Sequence, residues 1–145
     1  MKLLLFVLML NFAPQATWLG NFHDATVEAA RSHKLIIVNF SGSDWCIPCI
    51  RLTKEILGSS TFEKYASEHL ILVHADFPRL KKNQLSKEQI KLNEELADKY
   101  NPNGNFPYTL LVDEKGKVLK AWDGYPDESA EKFVEQVNTF VHTSN

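Results

Sequence analysis

Asp44-Trp45-Cys46-Ile47-Pro48-Cys49 holds both cysteines of the 145-residue chain, spaced C-x-x-C. The run ahead of it, Leu35-Ile36-Ile37-Val38-Asn39-Phe40, is almost unbroken in its apolarity. That pattern predicts a strand covered on both faces, as in the middle of an α/β sheet. Ser41, Gly42 and Ser43 supply a turn, and Cys49 to Leu57 predicts a helix with Ile50, Thr53, Ile56 and Leu57 at helical spacing and Gly58 as its stop. Pro48 fits a first helical turn, where its missing N–H has no partner to lose. Strand, loop, thiol and helix in that order place Cys46 where unpaired N–H groups and the helix dipole favour thiolate over thiol.

Length and composition support a single domain with a core. The chain is 44% hydrophobic, and its 16 Lys and Arg against 18 Asp and Glu leave a formal charge of −2, which gives no electrostatic case for a nucleic-acid partner. The basic pair Lys81-Lys82 reads as a solvated loop. Two cysteines are too few for a scaffold held by several bridges.

Residues 1–16 read as a signal peptide. Met1-Lys2 is followed by the apolar run Leu3 to Leu10, and Ala13-Pro14-Gln15-Ala16 offers small residues for cleavage after Ala16. The run falls short of the about 20 residues of a membrane-crossing helix, so no stable span is expected. No cysteine stands near its end for lipid attachment, and His142-Thr143-Ser144-Asn145 is no retention signal. The expected location is the periplasm, with secretion as the other outcome, and residues 21–145 form the expected domain.

Within that domain Asn21 caps a predicted helix with Phe22, Ala25, Ala29 and Ala30 on one face, ending near His33-Lys34. Ser60 is placed as the cap of a short helix carrying Phe62, Tyr65 and Ala66, and Leu70 to Asp76 reads as a second buried strand broken by Phe77-Pro78-Arg79. After an insertion-like loop, Leu80 to Leu85, Ser86 and Gln89 form a capping box for a helix with Leu92, Leu96, Ala97 and Tyr100 inward. Asn101 to Asn105 is turn chemistry, Thr109 to Asp113 and Val118 to Trp122 form a hairpin, and a last helix starts near Pro126. Helices between strands imply parallel pairing, with the hairpin adding an antiparallel edge.

A cysteine pair so close serves disulfide exchange, metal binding or a structural bridge. In exchange, Cys46 is the nucleophile and Cys49, one turn deeper, the resolving thiol. Zinc takes four ligands, and none of His23, His33, His69, His74 and His142 supplies a companion motif, so no metal and no cofactor are expected. A bridge closing so short a loop removes little chain entropy.

The sequence resembles the thioredoxin-like superfamily from about Phe22 to Phe140. Trp45-Cys46-Ile47-Pro48-Cys49 is similar to the family's W-C-x-x-C, and Phe106-Pro107-Tyr108 stands where the family carries a cis-proline facing the cysteines. Phe40-Ser41-Gly42-Ser43-Asp44-Trp45-Cys46 resembles exported bacterial members. The resemblance implies a thioredoxin fold: a central mixed sheet flanked by helices, a closing hairpin and a C-terminal helix. It implies a thiol-disulfide oxidoreductase acting on protein disulfides or dithiols, preferred as a reductant, monomeric and recharged by a redox partner the sequence does not name. Pro107 then leaves the backbone of Phe106 free for an extended substrate, and Trp45 with Ile47 gives apolar contact. Asn39 departs from the pattern, standing where many members carry a buried acid that assists Cys49. Ile47-Pro48 replaces Gly-Pro, and the loop is one residue longer. The rival readings are a redox-inert binding module or chaperone on the same fold, using the apolar surface of Trp45, Ile47 and Phe106, and a thiolate metal carrier recruiting His74.

Overall fold

The computed structural model describes residues 15–143. Residues 1–14, most of the expected signal segment, lie outside them. The elements run β1 (Trp18–Leu19), α1 (Phe22–Ser32), β2 (Leu35–Ser41), α2 (Ile47–Leu52), a π-helical turn (Thr53–Leu57), α3 (Ser60–His69), β3 (Leu70–Asp76), a 3₁₀ turn (Lys81–Asn83), α4 (Lys87–Tyr100), β4 (Tyr108–Val112), β5 (Val118–Asp123) and α5 (Ala130–Val141).

The strands form one mixed sheet in the order β1-β3-β2-β4-β5. β2 is buried along its whole length, as its continuous apolarity predicts. Ile37 and Leu35 face Leu52, Ile56, Phe62 and Phe133, while Ile36, Val38 and Phe40 face Ala25, Ala29 and Leu96. Alternate residues of one strand therefore belong to two separate cores. Phe40, Phe62 and Phe133 are fully buried, each contributing about 1.5–3 kcal/mol of apolar transfer.

β2 pairs parallel with β3, as expected, but antiparallel with β4, which corrects the reading that helix-separated strands all run parallel. The reason lies in the connection after α4. Tyr100, at its end, donates its hydroxyl to the Gly116 carbonyl in the β4–β5 turn at 2.7 Å. The chain then climbs back, with Asn105 bonding Asp123 beside the start of β4. β4 thus begins where β2 ends, and Phe40 pairs with Tyr108.

Other expectations shift locally. The helix after the cysteines starts at Ile47, not Cys49, so its inward face is Cys49, Leu52 and Ile56, while Ile50 and Thr53 are exposed. The Gly58 N–H reaches back five residues to the Thr53 carbonyl at 2.7 Å, widening the last turn so that Ile56 and Leu57 both point inward. Ser59, not Ser60, caps α3 by accepting from the Phe62 N–H at 3.1 Å. Ser86 caps α4 as expected, but the Gln89 side chain turns away to the Gly20 carbonyl and Asn93, so the capping box is half made. α5 starts at Ala130 because Ser129 supplies its cap, after Pro126 closes a turn of its own with the Glu128 N–H. Ala30 is exposed, on the far side of α1 from Ala25 and Ala29. The edge strand β1 is too short to carry a periodic signal.

Candidate active site

Because β2 and β3 run parallel and β4 runs opposite to them, the loop after β2, the loop after β3 and the segment before β4 meet at one end of the sheet. Cys46 and Cys49 sit there, joined by a disulfide with Cα atoms 5.2 Å apart. Cys46 is the N-cap of α2 in extended backbone, and its sulfur accepts from the Cys49 N–H at 3.3 Å. The Cys49 sulfur accepts from the Gly42 N–H at 3.5 Å. Cys46 is 5% exposed against 1% for Cys49, so the first cysteine is the more accessible of the two. A backbone N–H aimed at each sulfur favours the charged thiolate once the bond is reduced.

Around the pair stands an aromatic wall. The Trp45 indole N–H donates to the Phe77 carbonyl at 2.7 Å, and the rings of Trp45 and Phe77 each meet Phe106 edge-on at 5.5 Å. Gly42 is what lets the indole lie where it does, since a Cβ there would collide with the Trp45 ring. Ile47 is 69% exposed beside the disulfide and Pro48 is exposed next to it. The Phe106–Pro107 peptide is cis. Neither backbone group of Phe106 enters a hydrogen bond among the described residues, while the Pro107 carbonyl accepts from the Gly124 N–H at 2.9 Å. The structure therefore gathers Trp45, Cys46, Ile47, Pro48, Cys49, Phe106 and Pro107 at one end.

Asp44 reaches from the cysteine loop to the segment after β3. Its carboxylate accepts from the Arg79 and Leu80 N–H groups at 2.9 Å each and from the Asn83 side chain at 3.0 Å, clasping the 77–84 segment to the cysteine loop. The Arg79 N–H foremost holds its pKa below the ordinary value of 3.8; burial opposes this, and the bonds from Asn83 and Leu80 add to the lowering. A carboxyl lowered on folding contributes stability above its unfolded pKa and loses it as pH falls through the lowered value. Asp44→Ala is expected to speed amide hydrogen exchange at Arg79 and Leu80 at neutral pH while leaving β2 amides protected. Unchanged exchange at both amides would show that the clasp holds nothing.

Asn39 is 1% exposed and donates to the Thr109 hydroxyl at 3.0 Å. Across the β2–β3 pair it faces His74, and both line a cavity of about 290 Å³ with Trp18, Thr53, Leu57 and Glu63. Burial pushes the His74 imidazole below its ordinary 6.5, with Asp76 opposing, so at neutral pH the ring is uncharged. The amide at this position is tied to Thr109 on β4. Among the described residues, no group of three or more His, Cys, Asp or Glu is placed to hold a metal ion.

Phe77, Arg79 and Thr109 were not among the residues singled out for the site from sequence. Their partners lie 32 to 70 residues away along the chain, beyond the reach of any local pattern.

Comparison with known proteins agrees with this geometry. The family model for the thioredoxin-like domain matches residues 22–140. The chain is 36% identical over 119 residues to the disulfide bond reductase DsbH of Chlamydia pneumoniae, covering 82% of this chain and 69% of that protein. A second relative, the thioredoxin-related protein DsbJ of the same organism, is 28% identical over 85 residues, and the match spans only 24% of its length. The solved structure of a DsbH oxidoreductase superposes with a TM-score of 0.79 at 33% identity, covering 90% of this chain and 87% of that one. A Thermus thermophilus thioredoxin shares the fold at a TM-score of 0.66 and 13% identity, covering 90% of this chain and 91% of that one. With the paired sulfurs, the mixed sheet and these matches together, the chain belongs to the thioredoxin-like family of thiol-disulfide oxidoreductases.

Proposed function

We propose that the protein is a reductant of protein disulfides outside the cytoplasm, working through Cys46 and Cys49. The observation that carries this reading is the Cys46–Cys49 pair at the start of α2, with the outer cysteine more accessible and each sulfur facing a backbone N–H. In the reduced protein the Cys46 thiolate attacks a substrate disulfide, forming a mixed disulfide and expelling one substrate sulfur as thiolate. Cys49 then gives up its proton and attacks the Cys46 sulfur. The second substrate sulfur leaves, two electrons have passed to the substrate, and the disulfide seen here is restored. Trp45, Ile47 and Phe106 give apolar contact to the substrate, and the unengaged backbone of Phe106 beside Pro107 pairs with an extended segment of it.

Reduction rather than oxidation is supported by the 36% identity to a protein named for disulfide bond reduction. The extracytoplasmic setting rests on the leader-like residues 1–16, and residues 21–145 act as the mature domain. A separate electron donor must return the disulfide to the dithiol after each cycle.

The reduction potential of the pair tests the direction. A value near the thioredoxin end, about −270 mV, is expected, and one near about −120 mV would make the protein an oxidant. Each 29.6 mV between those ends is about a tenfold change in the exchange equilibrium.

A further inference from the structure

Arg79 sits over the Trp45 ring, its guanidinium carbon 3.7 Å from the ring centroid. It is exposed, and among the described residues the guanidinium makes no ion pair and donates no hydrogen bond. Asp44 lies close in sequence to Trp45, but its carboxylate is turned to the backbone of Arg79 and Leu80 and to Asn83. Asp76 is likewise taken up, by the backbone N–H and hydroxyl of Ser43. The cation is thus held in place by its ring and its clasped backbone, while Asp44 and Asp76 bond backbone and neutral side-chain donors instead of the guanidinium. Lys81 and Lys82 are exposed on the same segment.

We infer that the 77–84 segment is a substrate-reading wall, and that Arg79 selects extended protein segments carrying a carboxylate close to the disulfide to be reduced. The inference rests on the proposed reductase reading and names its substrate class. A guanidinium offers a planar fork of N–H donors that matches a carboxylate in two parallel hydrogen bonds, and stacking on an aromatic face leaves those edges free. The ring beneath it is the one that meets Phe106, so cation, apolar wall and unengaged backbone are contiguous. The guanidinium carbon lies 3.7 Å from the centroid of a ring that is itself 5.5 Å from that of Phe106, and an extended chain advances about 3.3 Å per residue, so a side chain about two or three residues from the segment paired at Phe106 comes within its reach.

The test uses two peptide disulfides identical except for Glu or Gln three residues from the cysteine, with the mature protein, Arg79→Gln and Arg79→Glu. For the unsubstituted protein at low ionic strength, kcat/KM for the Glu peptide should exceed that for the Gln peptide by about two- to fivefold, the range of an exposed ion pair, and the ratio should shrink in salt. Arg79→Gln should bring the ratio to one, and Arg79→Glu should invert it. Affinities of the oxidised protein for the same two peptides with Ser in place of Cys give the preference without turnover. Equal affinities, or a preference that survives Arg79→Gln, would overturn the assignment. If neither peptide disulfide is reduced but the affinities still differ as stated, the reductase reading fails and the charge-reading wall stands.

Discussion

Cys46→Ser is expected to reduce disulfide turnover to the uncatalysed background, and Cys49→Ser is expected to stop after one event, accumulating protein joined to its substrate. The asymmetry follows from position. Cys46 caps α2 and is the more exposed residue of the pair, so it is the one expected to meet an incoming disulfide. Cys49 is 1% exposed behind it, placed to attack Cys46 and little else. Without Cys46 no first bond forms. Without Cys49 the mixed disulfide has no internal nucleophile and waits for an external thiol. Insulin reduction followed by turbidity reads the first effect, and non-reducing electrophoresis with mass spectrometry reads the second. Retained turnover in Cys46→Ser would show that the two roles are reversed or shared.

Asn39→Asp is expected to destabilise the fold by about 3 kcal/mol at neutral pH and by far less in acid. The side chain is 1% exposed, and among the described residues its one hydrogen bond is the one it donates to Thr109. A carboxylate cannot donate that bond, and its charge is buried without a cation, the situation that costs most. Burial raises the carboxyl's pKa above the about 3.9 it has in the unfolded chain. Below the unfolded value both states are protonated and the charge penalty is absent. As pH rises past it the unfolded chain releases its proton first, so stability falls until the folded carboxyl ionises too and then levels off. Two groups share the cavity and shape the curve: Glu63 on α3 adds repulsion, and His74 on β3 would relieve the charge only if protonated. Denaturant midpoints between pH 4 and pH 8 measure the slope. A pH-independent loss would mean that the introduced carboxyl reaches solvent, and that a water-filled cavity has taken the place of the missing acid.

The reading of Asn39 shows where local pattern stops. The residues on either side mark a buried strand, and the departure from a buried acid is visible in the sequence itself. What satisfies the amide is not, because Thr109 lies 70 residues on and reaches Asn39 only through the antiparallel β2–β4 pairing. That pairing is antiparallel, although a helix between strands ordinarily returns the chain to the same direction. The return segment from Asn101 to Phe106 reverses it, and nothing in its turn-rich composition states how far it travels. Helix ends moved for a similar reason: neighbouring serines compete for the cap, and the one whose hydroxyl finds the right N–H wins.

The chemistry of this protein was carried by its sequence. Two cysteines at C-x-x-C spacing between an apolar strand and a helix define a thiol pair at the helix N-terminus, because spacing and backbone period act over a few residues. The tertiary structure decided what surrounds that pair. Asp44 holds the 77–84 segment, Arg79 lies over Trp45, and Phe77 and Phe106 complete one wall, although these groups come from separate loops. Their meeting depends on strand order and direction, which set where three loops converge, and strand order is a property of the packed sheet as a whole.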